Sequence, residues 1–407
     1  MTDSCIAGNA VVGQSGGPTT VINQSLVGVI EGLKTHGRGK IKKILGAHHA
    51  VAGIIKNDFL ELQDLPQDRL DRVAATPSAA LGSSRDKPDR DYCEKIFHVF
   101  EQNDVRYFFY IGGNDSSDAC RIINELAREA GYELRAFHVP KTIDNDLVHN
   151  DHTPGFGSAA KFVAQAFMGD DLDNKALPGV KIDVVMGRHA GFLTAASIMG
   201  RQHDGDGPHL VYVPEHGISV DKLLADVDRA YKKHGRCVIA VSEGVHNEEG
   251  TPLAVRLAEE SGAEVERDSH GNVQLSGTGA LGDFLSTAIK EKLGIKRVRA
   301  DTLGYLQRSF AGCVSDTDAK EARLAGRTAA ELACTGNLDG SVAIQRTHDD
   351  PYTVECKRIE LSDVAAKTRT LDPVYIRDGC DIDESYKDYL RPIIGELPVI
   401  ESLRTRH

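Results

Sequence analysis

From Ile6 to about Gly244 the chain alternates between short apolar runs and amphipathic stretches. That alternation restricts the fold more than any other feature of its 407 residues. The run "IAGNAVVG" predicts a buried strand, and "TTVINQSLVGVIEGLKTHG" carries apolar residues at helical spacing up to a closing glycine. An amphipathic helix, "DYCEKIFHVFEQND", precedes the strand "VRYFFYIG". A helix from Ser116 to Gly131, the strand "LRAFHVP" and the loop "KTIDNDLVHNDHTPGFG" follow. Beyond Ser158 come a helix, the strand "KIDVVMG", a helix after Gly191, the strand "HLVYVP", the helix "VDKLLADVDRAYKKHG" and the strand "RCVIAVSEG". Repeated strand–helix alternation implies parallel sheets covered by helices on both faces, so the expected class is α/β. After about Asp349 the rhythm fades, and "HDDPYTVECKRIELSDVAAKTRTLDP" reads as a strand, a loop and a short helix.

Charge and cysteine content narrow the partners. Sixty acidic residues against 48 basic ones give a formal charge of −12, without the broad basic footprint that nucleic acid or an anionic membrane requires. A local basic cluster can still hold a small anion. The eight cysteines are scattered with no CxxC pair, which predicts buried free thiols in a reducing compartment rather than a metal or redox centre. The start "MTDSCIAGNAVVG" has no basic stretch ahead of an apolar one, and no apolar run approaches the ~18 residues of a membrane span. A cytoplasmic location is expected.

In parallel sheets ligands bind beyond the carboxyl ends of the strands, and five unusual loops leave predicted strands there: "GQSGGPTT", "GGNDSS", "KTIDND", "MGRHAG" and "SEG". Gly16 and Gly17 allow a close backbone approach to a phosphate at a helix N-terminus, although a tight turn explains them equally well. In "KTIDND", Asp144 and Asp146 alternate along an extended segment, so both are expected to face one site. One carboxylate can take a proton from an attacking hydroxyl while the other orients it or a metal, and Lys141 adds a positive charge. Alone, such carboxylates more often cap helices; four companion loops tip the balance. Arg85, Arg188, Arg299 and Arg308 sit among glycines and small residues, where the guanidinium fork suits phosphate oxygens. Together they predict a site for two anionic groups. Glu243 ends a strand at the same face and suits a sugar hydroxyl or a turn. A GxGxxG pattern at Gly277, Gly279 and Gly282 suggests a dinucleotide loop, but "DSHGNVQLS" before it is a poor buried strand, so a helix start is the favoured reading.

The motifs "GGPTTVIN", "LGSSR", "IGGNDSS", "KTIDND", "VVMGRHAGF", "SEG" and "DTLGYLQRS" resemble those of phosphofructokinases in order and approximate spacing, from about Ile6 to Gly340. The resemblance implies a phosphofructokinase fold of two Rossmann-like three-layer lobes with mainly parallel sheets. The implied donor lobe spans residues 1–155 plus about 307–348, the sugar-phosphate lobe 156–306, and 349–407 form a C-terminal extension. The implied reaction is transfer of a phosphoryl group to the 1-hydroxyl of fructose 6-phosphate with Mg2+. In this reading Asp144 deprotonates the hydroxyl, Asp146 assists and Lys141 stabilises the transferring group. Gly17, Arg85 and the Asn114 loop hold the donor and Mg2+, and Thr142, Met186, Gly187, Arg188, Glu243, Tyr305 and Arg308 hold the sugar phosphate. Arg299 matches an arginine that reaches in from a neighbouring subunit, which implies a homodimer or homotetramer. Lys181 is the only basic residue near a second such position. Asn114 stands where an Mg2+-associated Asp is commonest, and it offers an oxygen with one charge fewer.

Asp115 and Lys141 resemble the members of the family that use pyrophosphate rather than ATP. A carboxylate at ~4 Å from a nucleotide α-phosphate repels it by roughly 4 kcal/mol at an effective dielectric of about 20, whereas pyrophosphate ends before that point. An ATP-dependent sugar kinase is the first alternative. A non-catalytic regulatory subunit fits less well, since both Asp144 and Asp146 are present, and a nicotinamide oxidoreductase rests on the Gly277 pattern alone. Another phosphorylated ketose, such as sedoheptulose 7-phosphate, stays open as the acceptor.

Overall fold

The structure is a computed structural model that describes residues 5–256, 279–336 and 339–401. They fall into two compact units, Met1–Ser158 with Arg308–Arg369, and Ala159–Gln307 with Thr370–His407. In chain order the first unit receives β1 (Gly8–Gln14), β2 (Ile41–Ala47), β3 (Phe59–Glu61), β4 (Val105–Gly112) and β5 (Arg135–Pro140). The second receives β6 (Val180–Val185), β7 (Leu210–Tyr212), β8 (Cys237–Ser242) and β9 (Val298–Thr302). The chain then returns to the first unit for β10 (Asp339–Asp349) and β11 (Tyr352–Ile359), and ends in the second with the short pair β12 (Ile376–Arg377) and β13 (Asp381–Ile382).

The sheet of the first unit has the order β11-β10-β5-β4-β1-β2-β3. Its five inner strands run parallel, and β3 and β11 add antiparallel edges. Central strands are covered on both faces, so β4 is buried at every position except Arg106, whereas β11 alternates between more and less exposed residues as a one-sided edge does. The α/β expectation of mainly parallel sheets therefore holds. Because β1 has β2 on one side and β4 on the other, the connections diverge there and leave a crevice at the strand ends. The second unit repeats this arrangement in a parallel sheet of order β7-β8-β6-β9, with β6 flanked by β8 and β9.

Several elements differ from the sequence reading. The helix expected after Gly191 is a single turn, Phe192–Ala195, continued by a 3-10 turn over Ala196–Gly200. β2, β3, β9 and β10 are additional, as is the short pair β12 and β13. Of the GxGxxG pattern, Gly279 (φ +69°) caps the helix Ala280–Leu293, and a Cβ on Gly282 would sit 3.0 Å from the Ala300 Cβ in β9. These two glycines thus start a helix and pack it on a strand; Gly277 and "DSHGNVQLS" lie outside the described residues. All eight cysteines carry free thiols, and seven of them are buried. Among the described residues no helix is long and apolar enough to cross a membrane.

In the first unit the helix Ile22–His36 lies against the helix Asp316–Cys334 at backbone distance. A Cβ on Gly28 would fall 2.2 Å from the Arg323 carbonyl oxygen, and one on Gly326 2.2 Å from that of Ser25. The same contact sets Glu31 against Arg323 and Arg327. Burial opposes ionisation of Glu31, but the two guanidinium groups win and hold its pKa at about 2. Because the obstacle is backbone, the neighbours cannot swing aside. Gly28→Val should therefore cost about 1–3 kcal/mol of stability, read as a lower urea midpoint; an unchanged midpoint would contradict the close approach.

Candidate active site

In the first unit the site grows from three strand ends. The loop after β1 turns at Gly16 (φ +71°), where the Gly16 N–H donates to the Ser84 carbonyl at 2.8 Å and the Ser83 hydroxyl donates to the Gly16 carbonyl at 2.6 Å. The Gln14 side chain accepts the Leu81 N–H at 2.9 Å and donates to Asn23 at 2.9 Å, so the segment that carries Arg85 is tied to the loop after β1. After β4, Gly112 is obligatory: a Cβ there would lie 2.0 Å from the Ser116 hydroxyl and 2.2 Å from that of Ser15. The Gly112 carbonyl accepts the Lys141 backbone N–H at 2.9 Å and His138 Nε2–H at 2.8 Å. His138, held on its other side by Ser341 at 2.8 Å, stays neutral because burial drives its pKa down to about 4.

Lys141 occupies the centre. It is buried, and its ammonium donates to the Gly17 carbonyl at 2.8 Å. A Cβ on Gly17 would come within 2.6 Å of the Arg308 guanidinium, so Gly17, Lys141 and Arg308 converge. Burial and the Arg308 charge lower the Lys141 pKa to about 7, with Asp144 opposing, Arg85 adding to the fall and Asp146 opposing again. Arg308, Asp144, Arg85 and Asp146 are therefore each within electrostatic reach of Lys141.

The carboxylate loop departs from the expected extended segment. Asn145, between the two acids, takes a left-handed conformation (φ +58°). Burial nonetheless alternates, with Asp144 and Asp146 half-buried and Ile143, Asn145 and Leu147 buried. The Thr142 hydroxyl accepts the Asp144 N–H at 3.1 Å, which turns the chain into the loop. Asn114, the first residue of the helix Asn114–Glu129, donates through Nδ2 to Asp146 at 3.3 Å, while its Oδ1 is buried with no hydrogen-bond partner among the described residues. Asp115, the next residue, is exposed and ion-paired with Lys87 at 3.2 Å. Lys87 had no signal in the sequence, and its ammonium weakens the repulsion expected of an isolated carboxylate.

In the second unit Met186, Gly187 and Arg188 follow β6, and Glu243 follows β8. Gly187 (φ +134°) has its carbonyl held by the Ser242 hydroxyl at 2.6 Å, and a Cβ on Gly244 would meet the Arg188 carbonyl oxygen at 2.0 Å. These two loops are thus packed together, with Glu243 buried between strand and loop and the Met186 N–H donating to Gln307 at 3.3 Å. Arg299 is exposed on the edge strand β9, and Tyr305 is exposed in the Gly304–Arg308 turn after it. Lys181 is buried and its ammonium is taken by Asp301, Asp183 and Asp170, so it is spoken for within its own unit. Those three carboxylates could collectively ligate a cation, but Lys181 already supplies the positive charge.

The loop beyond Asp146 is anchored by buried charge. Asp318 accepts the Gly155 N–H at 2.8 Å and both the N–H and hydroxyl of Ser158, at 2.8 and 2.6 Å. His152 bridges Asp151 at 2.7 Å and Glu321 at 2.5 Å, and the Tyr352 hydroxyl donates to Glu321 at 2.8 Å. Burial alone would lower the His152 pKa, but the Asp151 and Glu321 carboxylates push it up to about 9. Since that lies above the 6.5 of an unfolded histidine, the stabilisation is complete below pH 6.5 and is lost as pH rises through about 9. His152→Gln should lose about 3–5 kcal/mol at pH 6, with the gap to the parent protein closing towards pH 9 in urea titrations; a pH-independent gap would contradict the charged pair.

The chain matches the family model described as "Phosphofructokinase" over residues 9–333. It is 56% identical over 389 residues to pyrophosphate–fructose 6-phosphate 1-phosphotransferase of Rhodospirillum rubrum, covering 95% of this chain and 94% of the relative. The Halomonas elongata protein of the same name is 39% identical, with 95% and 91% covered. Among solved structures, the pyrophosphate-dependent phosphofructokinase from Marinobacter aquaeolei aligns with a TM-score of 0.83 at 33% identity, covering 97% of this chain and 94% of that one. With the family model spanning most of its length and such relatives aligned nearly end to end, the chain belongs to the phosphofructokinase family.

Proposed function

We propose that the chain reversibly transfers a phosphoryl group from pyrophosphate to the 1-hydroxyl of fructose 6-phosphate, giving phosphate and fructose 1,6-bisphosphate in the cytoplasm. The observation that carries this reading is the buried Lys141 ammonium, seated on the Gly17 carbonyl within reach of Asp144 and Asp146. Relatives named for this reaction, at up to 56% identity among those compared, support it.

The residues divide the work. Asp144 takes the proton of the 1-hydroxyl as the oxygen forms its bond to phosphorus, and the bridging oxygen of pyrophosphate leaves with its bonding pair as phosphate. Lys141 and Arg85 face the charge that spreads over the transferring group. In reverse, protonated Asp144 returns the proton to the sugar oxygen. Anhydride and ester are close enough in energy for both directions to run. Asn114 and Asp146 fit a hard divalent cation: both present oxygen, they adjoin, and Asn114 Oδ1 is buried without a hydrogen bond among the described residues. Mg2+ bound there would supply positive charge to the pyrophosphate oxygens. Thr142, Met186, Gly187, Arg188, Glu243, Tyr305 and Arg308 hold the sugar phosphate, and Arg299, exposed on its edge strand, completes the site of a neighbouring subunit in a homodimer or homotetramer.

The donor is tested directly. The purified chain should turn over with pyrophosphate and far more slowly with ATP, and Asp115→Gly combined with Lys141→Gly should lose pyrophosphate use while gaining weak ATP use. Equal efficiency of the parent protein with ATP would sink the reading. Protonation adds a second test. Lys141 is charged below about pH 7 in the free protein, so kcat/KM for pyrophosphate should fall as pH rises through about 7. Bound phosphates favour the charged form, so the corresponding fall in kcat should lie at higher pH. Lys141→Met should abolish that limb and lower kcat by about 10²–10³-fold; a limb that persists in the variant belongs to another group.

A further inference from the structure

We infer that Arg369 is a positioning residue for phosphoryl transfer, holding the backbone that carries Asp144 and Asp146 in its working shape; this rests on the proposed function. Arg369 lies beyond the 9–333 family match, in the stretch where the sequence offered no motif. Its Nε donates to the Asn145 carbonyl at 2.8 Å and its second guanidinium nitrogen to the Asp151 carbonyl at 2.6 Å. Its backbone N–H donates to the Asp146 carbonyl at 2.8 Å, and Thr368 forms an antiparallel bridge with Leu147.

The peptide planes on both sides of Asp146 end in carbonyls that Arg369 holds, one by side chain and one by backbone. Fixing both planes fixes the direction in which the Asp146 side chain leaves the chain. Asn145 sits at φ +58°, a region that asparagine tolerates better than most residues but that still costs more than an ordinary backbone, so holding the Asn145 and Asp146 carbonyls favours this turn. The guanidinium fork reaches two carbonyls at once, spanning the loop from Asn145 to Asp151; an ammonium would serve one point only. The hydrogen bonds described for Arg369 go to backbone carbonyls. Its effect is geometric, and a displacement of about 1 Å at the reacting groups can cost about 10² in rate.

The test compares Arg369→Ala, Arg369→Lys and the parent full-length chain. Arg369→Ala should lower kcat about 100-fold and leave the KM of both substrates within about threefold, with Arg369→Lys between the two. Millimolar guanidinium ion should restore at least about tenfold of the lost kcat in Arg369→Ala and nothing in Asp144→Asn. Hydrogen exchange should speed up at the amides of 144–151 and stay unchanged in β4. A kcat within twofold of the parent, or exchange that rises throughout the first unit with no guanidinium rescue, would overturn the proposal. If the parent chain failed to use pyrophosphate, the functional reading would fall and the catalytic part of this proposal with it. Exchange at 144–151 would then still decide whether Arg369 holds the loop.

Discussion

The first unit is organised around an ammonium group that has been taken out of water. Lys141 gives up nearly all of its hydration and receives one backbone carbonyl in return, that of Gly17. Such an exchange is unfavourable for the charged form, and the fall of its pKa to about 7 expresses that cost. The surrounding structure is built to tolerate it. Two carboxylates lie within electrostatic reach, two arginines oppose them, and the loops after β1 and β4 are drawn so close that a Cβ on Gly112 would strike the Ser15 and Ser116 side chains. An anion entering this place meets a cation whose dehydration has already been accomplished by folding.

Much of this was legible in the sequence because parallel strands are buried on both faces and leave unbroken apolar runs. β4 and β8 are plain for that reason, and the small and charged residues that end them mark the crevice. β2 was not, since Lys42 and Lys43 break its apolar run at the exposed start of the strand. The helix after Gly191 shrank because a Gly-Phe-Leu start gave the pattern of a helix while the chain tightened into a 3-10 turn. Among candidate site residues, those on loops with a fixed local spacing could be proposed from the sequence. Lys87, His138, His152 and Arg369 were not, because each acts through a partner far away in the chain. His138 looks like any residue of an apolar strand until Ser341 of β10 arrives beside it.

The charges differ in how they are satisfied. Lys181 is enclosed by carboxylates of its own unit, whereas Arg299, opposite it in the register of β6 and β9, is exposed. Neighbouring cations on adjacent strands thus have opposite fates, one consumed internally and one left presented. Likewise Asp318 is a buried anchor bound by backbone N–H groups, and Asp115 is a surface carboxylate with a lysine beside it. Residue type alone would not separate these roles; burial and partners do.

The placement of β10 beside β5 bears on how the polypeptide is made. The partner strand of β5 begins at Asp339, and the helix that packs on Ile22–His36 begins at Asp316. At synthesis rates of about 5–20 residues per second, the roughly 200 residues between β5 and β10 take about 10–40 s to emerge. For that interval the nascent first unit carries an open strand edge and an uncovered helix face while the Ala159–Gln307 part of the second unit is translated. Ribosome-bound intermediates of this protein should therefore depend on protection of that edge, and the acids of the 144–151 loop can acquire their final geometry only after Arg369 has left the ribosome.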